Sequence, residues 1–220
     1  MLAAWWKALL DLVYPPRCPV CRAAVEQHGL LCLACLSGAV AEREINIAGR
    51  RLAGLDSCRV LCDYGGGVKQ LIHRLKFHKQ AGASIYLSRL LEDRLDAGRF
   101  AGVDAVVPIP LHAGRLAERG FNQTELIFRK WAEGQGWLWL NALERIRSTA
   151  PQWELALDLR RKNIKGAFKV TRPEWVQGKV LLVVDDILTS GFTLNEAAKT
   201  LKRCGAKRVM GLALASGADS

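Results

Sequence analysis

The 220-residue chain has no apolar run near the ~20 residues that a membrane-spanning helix needs, so no membrane span is expected. It has no internal repeat and no low-complexity tract, which argues against a solenoid or a disordered array. Its start, MLAAWWKALLDLVYPP, carries a single Lys and no small-residue cleavage site. No export signal is therefore expected, and the cytoplasm is the expected compartment. Acidic residues are scarce: 21 Asp+Glu face 32 Lys+Arg, leaving a net charge of +11.

What is present is a full core's worth of apolar residues, 50% of the chain, arranged in short blocks. The basic surplus is unevenly placed. Residues 1–64 hold 7 Lys+Arg against 6 Asp+Glu, whereas residues 145–172 hold 8 against 2. Such a surplus suits a phosphate-bearing partner, either a small polyphosphate or nucleic acid, though a solvated surface would have the same charge. Trp5, Leu9 and Leu12 are spaced as the stripe of a short amphipathic helix. Docking on the protein's own body is preferred there to membrane contact.

Four of the seven cysteines form two Cys-x-x-Cys pairs, Cys18/Cys21 and Cys32/Cys35, ten residues apart. Two such knuckles can direct four thiolates at one tetrahedral Zn²⁺, and metal binding offsets the small core of a ~40-residue module. Two disulfides are the competing reading, but they call for an oxidising compartment. Four sulfur ligands leave no open position, so the expected zinc is structural. Cys58 and Cys62 are spaced one residue too far apart for a tight knuckle and read as strand core. Cys204 reads as core at a helix end.

After residue 64, strands alternate with helices. Val68, Leu71, Ile72 and Leu75 mark one helix, with His73, Lys76, His78 and Lys79 read as its solvated face. SIYLSRLLEDRLDAG marks another, stopped by Gly98. VDAVVPIP is a buried strand, and a helix follows with Asn122 as N-cap. WLWLNALERI alternates as a strand does, and KVLLVVDD is a second continuous apolar strand. The helix after it has Thr193 and Glu196 at capping-box spacing and Gly205 as its stop, and KRVMGLALA closes the chain. The pattern predicts an α/β fold, a mainly parallel sheet with helices on both faces.

The strand VLLVV runs straight into Asp185 and Asp186. A core gains nothing from two unpaired carboxylates. In open parallel sheets, ligands bind beyond the carboxyl ends of the strands. The turn Thr189-Ser190-Gly191-Phe192-Thr193 feeds a helix whose first N–H groups and dipole favour an anion. An anion nest beside two carboxylates suits a ribose 5-phosphate: the phosphate in the turn, the 2′ and 3′ hydroxyls on the acids. The bland alternative is an acidic strand end with Thr193 as a plain N-cap.

VVDDILTSGFT resembles the phosphoribosyl pyrophosphate (PRPP) signature of type I phosphoribosyltransferases. Together with VPIPLHAGRLAERGFNQTE, RIRSTAPQ and RRKNIKGAF, and with the cysteine knuckles in front, it resembles the ComF family, which includes the GntX proteins linked to competence and DNA utilisation. Residues 1–14 are expected from their apolar spacing to form an N-terminal amphipathic helix; the resemblance, which begins after Pro15, is consistent with 15–64 as a zinc-ribbon module and 65–220 as a domain of the type I phosphoribosyltransferase fold. It implies that Asp185 and Asp186 contact the ribose hydroxyls, and that Thr189, Ser190, Gly191, Phe192 and Thr193 hold the 5-phosphate. Pro110, Leu111 and His112 would form the pyrophosphate loop, where such folds often place a strained or cis peptide. Arg115 and Arg119 would reach the pyrophosphate, and Arg145, Arg147 and Gln152 would belong to a flexible loop closing over it. Arg161 and Asn163 belong to a family block without an assigned role.

The implied ligand is PRPP with Mg²⁺ held mostly by substrate oxygens. Pyrophosphate displacement from the anomeric carbon needs cations around the leaving group and exclusion of water. One departure matters: purine-salvage relatives place an acidic base where this chain has Thr189. His112 is the neighbouring candidate base, against a plain structural role. Three readings follow: a phosphoribosyltransferase with an unidentified acceptor, a non-catalytic PRPP-binding adaptor of competence proteins, or a single-stranded DNA binder using residues 145–172 with Trp153 as a stacking platform.

Overall fold

The computed structural model describes residues 5–6, 11–148 and 157–217. Trp5 and Leu12 are exposed rather than docked on the body, and Leu9 lies outside the described residues. A short helix α1 (Leu33–Ser37) follows the second cysteine knuckle. Strands β1 (Val40–Glu44), β2 (Ser57–Asp63), β3 (Ala105–Pro108), β4 (Leu138–Trp139), β7 (Val180–Leu188) and β8 (Arg208–Ser216) build one sheet in the order β1-β2-β8-β7-β3-β4. All its neighbours are parallel except the edge pair β1–β2. β5 (Leu143–Arg145) and β6 (Phe168–Val170) form a separate antiparallel pair.

The period-2 alternation of β7 explains how the sheet is covered on both sides. Leu182 and Val184 join one core with α2 (Gly66–Phe77), α3 (Ser84–Arg94) and α5 (Gln123–Gly134). Leu181 and Val183 join the other, with α7 (Phe192–Arg203), β6 and the β1–β2 connection. α4 (Ala113–Arg119) and α6 (Leu157–Ile164) complete the order. The chain leaving β3 passes through α5 to β4 on one flank, while the chain leaving β7 passes through α7 to β8 on the other. The order therefore reverses between β3 and β7, which opens a crevice at their carboxyl ends.

Several local expectations change. α3 ends at Arg94 with Leu95 extended, ahead of Gly98, because Asp96 turns the chain by accepting from the Gly98 N–H at 2.9 Å. WLWLNALERI splits into β4 and β5, which lie in different sheets. α7 has no capping box: Gly191 is its N-cap, and Glu196 instead accepts from the Gly166 N–H at 2.9 Å. β1 and β2, grouped by sequence with the cysteine module, hydrogen-bond into the main sheet. Six register pairs tie β2 to β8. Cys58 and Cys62 are fully buried on β2, as strand core. Among the described residues, no helix is long and apolar enough to cross a membrane.

Candidate functional site

β3 ends at Pro108, opposite Val184 of β7, so Asp185 and Asp186 lie just beyond the last β3 pairing. β7 nevertheless continues to Leu188, held by β8. Alternation along this extension sends the two carboxylates to different neighbours. Asp186 is almost fully buried and forms an ion pair at 2.8 Å with Lys76 of α2. Asp185 accepts from the Asp186 N–H at 2.9 Å. Burial, and secondly the Asp186 charge, push its carboxyl up to about 8, against the pull of Lys76. One buried carboxylate beside another favours a single net charge on the pair.

Cations converge on this pair from three directions. Arg119 on α4 is half-buried and donates to Gln123 Oε1. Burial pulls its pKa down, and Asp186 pulls it back up. Arg145 on β5 is likewise pushed down by burial, with Asp185 opposing and Arg115 adding to the shift. Its guanidinium lies 5.8 Å from the centre of the Phe168 ring. A parallel bridge between His112 and Arg145 ties the turn after β3 to β5. Thus His112, Arg115, Arg119, Arg145, Lys76 and both aspartates are gathered at one end of the sheet.

The turn after β3 holds no cis peptide; none occurs among the described residues. Ile109 remains in the ladder through its N–H to the Val184 carbonyl at 2.9 Å, and Asn122 fixes the Ile109 carbonyl at 3.0 Å. His112 is the N-cap of α4, its Nδ1 accepting from the Gly114 N–H at 3.3 Å. Pro110 and Leu111 span the gap between them. Arg147 is exposed and donates to the Lys165 carbonyl at 2.5 Å. Arg161 and Asn163 lie on α6. Gln152 and Trp153 lie outside the described residues.

The turn after β7 is shaped by Gly191 at φ +82°, a left-handed conformation that side chains resist. Ser190 is 9% exposed, and its hydroxyl has no hydrogen-bond partner. Phe192 and Thr193 begin α7, whose first N–H groups lack helical partners. A buried unpaired hydroxyl beside a left-handed glycine and a helix start is the composition of an anion nest.

Sequence reasoning missed Lys76 as a site residue by placing it on a solvated face. It falls four residues after Ile72, on the buried stripe of α2, and a lone cation on an apolar stripe was the available signal. Tyr64 was missed as well. It lies close enough to Asp186 and Lys76 for both charges to act on a phenol already raised by burial.

The four sulfurs of Cys18, Cys21, Cys32 and Cys35 lie within 4.8 Å of one another, and Cys21 and Cys32 approach to 3.4 Å. A tetrahedral site with Zn–S of ~2.3 Å has sulfurs about 3.8 Å apart, so the cluster fits structural Zn²⁺. The first knuckle closes by the Arg22 N–H to the Cys18 carbonyl at 2.9 Å, with Arg22 left-handed. Burial raises the Cys18 thiol, but backbone N–H groups of Cys32, Cys21 and Val20 outweigh it and bring the pKa to about 6. Such donors favour a thiolate, the form that binds metal.

The model of the double zinc ribbon domain matches residues 9–59, and that of the phosphoribosyl transferase domain matches residues 147–219. The chain is 36% identical over 200 residues to DNA utilization protein YhgH of Salmonella typhimurium, covering 87% of this chain and 86% of that one. It is 35% identical over 157 residues to competence protein F of Haemophilus influenzae, covering 66% of this chain and 67% of that one. The solved glutamine PRPP amidotransferase from B. subtilis, complexed with ADP and GMP, matches at TM-score 0.42 and 17% identity, over 64% of this chain and 30% of that one.

Proposed function

The chain belongs to the ComF family of DNA utilization protein YhgH and competence protein F, and we propose that it binds PRPP with Mg²⁺ in the use of taken-up DNA or in nucleotide metabolism. The observation that carries this reading is the adjacency on β7 of two carboxylates and an anion nest with a buried, unpaired Ser190 hydroxyl. The nest takes the 5-phosphate, and Asp185 and Asp186 take the ribose hydroxyls. The diphosphate faces Arg115, Arg119 and Arg145. Mg²⁺ enters with the diphosphate, because Asp186 already holds Lys76 and few protein oxygens remain for a metal that keeps most of its waters. Bound there, the ion would neutralise the leaving diphosphate.

Calorimetry of zinc-loaded protein with PRPP and Mg²⁺ tests this reading. Wild type is expected to bind, and Asp186→Asn to bind at least tenfold more weakly, since a charge-assisted hydrogen bond contributes about 1.5–3 kcal/mol. Binding unaffected by that substitution, with unfolding midpoint unchanged, would contradict it.

A non-catalytic adaptor is favoured by one observation, Thr189 in place of an acidic base. Pyrophosphate release on adding a panel of free bases separates the two. Release with any base makes the protein a phosphoribosyltransferase; PRPP binding without release makes it an adaptor, with competence proteins or single-stranded DNA as its partners.

A further inference from the structure

The β1–β2 connection is folded onto the turn after β7. It is internally fixed: the Gly49 N–H donates to Asn46 Oδ1 at 2.8 Å, and the Leu52 N–H to the Ile47 carbonyl at 2.8 Å. Three consecutive contacts then seat it on the nest. Arg50 Nη1 donates to the Thr189 carbonyl at 3.3 Å. The fully buried Leu52 side chain covers Gly191 so closely that a Cβ there would lie 2.6 Å from Leu52 Cδ1. The Gly54 N–H donates to Asn195 Oδ1 at 2.8 Å, and a Cβ on Gly54 would lie 2.6 Å from the Asn195 carbonyl oxygen.

Arg50 is half-buried, and among the described residues no carboxylate pairs with it. A guanidinium satisfied by one carbonyl keeps most of its donors for something else, and its geometry matches phosphate oxygens. Its neighbour in the nest, Ser190, is nine-tenths buried with an unpaired hydroxyl. Two independent groups, a cation held at the Thr189 carbonyl and the Ser190 hydroxyl, thus lack an anionic partner at the same turn.

Resting on the 5-phosphate reading above, we infer that Arg50, held at the turn by the β1–β2 connection, is a phosphate ligand that makes the nest select the second charge of a terminal phosphomonoester. The substrate class is then a free 5-phosphorylated pentose or nucleotide, not the internal phosphodiester of a DNA strand. The second negative charge of a monoester is what the guanidinium recognises.

Calorimetry with ribose 5-phosphate and with its methyl phosphodiester provides the test. Wild type is expected to prefer the monoester at least tenfold, a ratio equivalent to one charge-assisted hydrogen bond. Arg50→Gln is expected to lose monoester affinity by about that factor and to lose the preference, while Arg50→Lys recovers part of both. Wild type that binds ribose 5-phosphate without preferring it over the diester, or Arg50→Gln that keeps the preference, overturns this inference and leaves the PRPP reading intact. Wild type that binds neither probe nor PRPP overturns both. Should Arg50→Gln fail to fold, dicarbonyl labelling of wild-type arginines decides: saturating ribose 5-phosphate is expected to protect Arg50, and unchanged labelling there overturns the assignment.

Discussion

Replacing Lys76 by methionine leaves Asp186 a buried carboxylate without its cation. Removing one partner of a buried pair costs roughly 3–5 kcal/mol, and the part-exposed Lys76 end lowers the expectation to about 2 kcal/mol. Urea unfolding of Lys76→Met should show that loss, and the double variant with Asp186→Asn should regain most of it; additive losses would mean that the ion pair is not coupled. Asp185 gives a pH-dependent counterpart. An unfolded aspartate titrates near ~4, whereas Asp185 titrates at about 8 in the fold. Between those values the folded state holds a proton that the unfolded state does not, so this group's contribution to stability falls as pH rises. The stability advantage of Asp185→Asn over wild type should therefore widen from about pH 5 to about pH 8; a constant difference would contradict the raised pKa. The aspartates were legible because charge interrupts an apolar strand. Lys76 was legible in principle from its place on the α2 stripe, but a lysine read by type alone goes to solvent. Arg50 carried no such signal, since its role depends on a connection folding across 139 residues of sequence onto Thr189.

The turn after β7 makes its own prediction. Gly191→Ala must hold a side chain at φ +82° and displace Leu52, and the left-handed conformation alone costs about 1–2 kcal/mol. A lowered unfolding midpoint together with weaker ribose 5-phosphate binding is expected. Gly191→Ala combined with Leu52→Ala should still bind weakly, because the backbone strain persists when the space is restored. Full recovery of binding would assign the effect to crowding alone. Apolar periodicity exposed β3, β7, α2, α5 and α7 in the sequence, since each buries a continuous face. Capping did not read as well. Thr193 and Glu196 have capping-box spacing, yet Glu196 is drawn to the Gly166 N–H by tertiary packing that no local pattern encodes. β4 and β5 read as one strand because both alternate, and nothing in the composition marks the change of sheet.

The zinc module and the sheet are physically continuous. A Cβ on Gly67, at the start of α2, would lie 2.6 Å from Val20 Cγ2 in the first knuckle, and β1 and β2 follow the second knuckle directly into the sheet. Metal removal should therefore lower the stability of more than the cysteine loops. One zinc per chain by atomic emission is expected, with a fall in Tm on chelation that added zinc reverses. An unchanged Tm after complete removal, or cysteines paired as disulfides, would contradict the structural role. The cysteine spacing and the order of strands and helices were readable from the sequence. The entry of β1 and β2 into the main sheet was not, because parallel pairing with β8 joins segments about 150 residues apart.

Diffraction from zinc-loaded crystals soaked in PRPP and Mg²⁺ would decide whether β7 and its turn form a cradle for a phosphorylated sugar. The ligand is expected with its 5-phosphate at residues 189–193, its hydroxyls at Asp185 and Asp186, and its diphosphate toward Arg115, Arg119 and Arg145. Ligand density lying elsewhere, or its absence at saturating concentration, would contradict that arrangement.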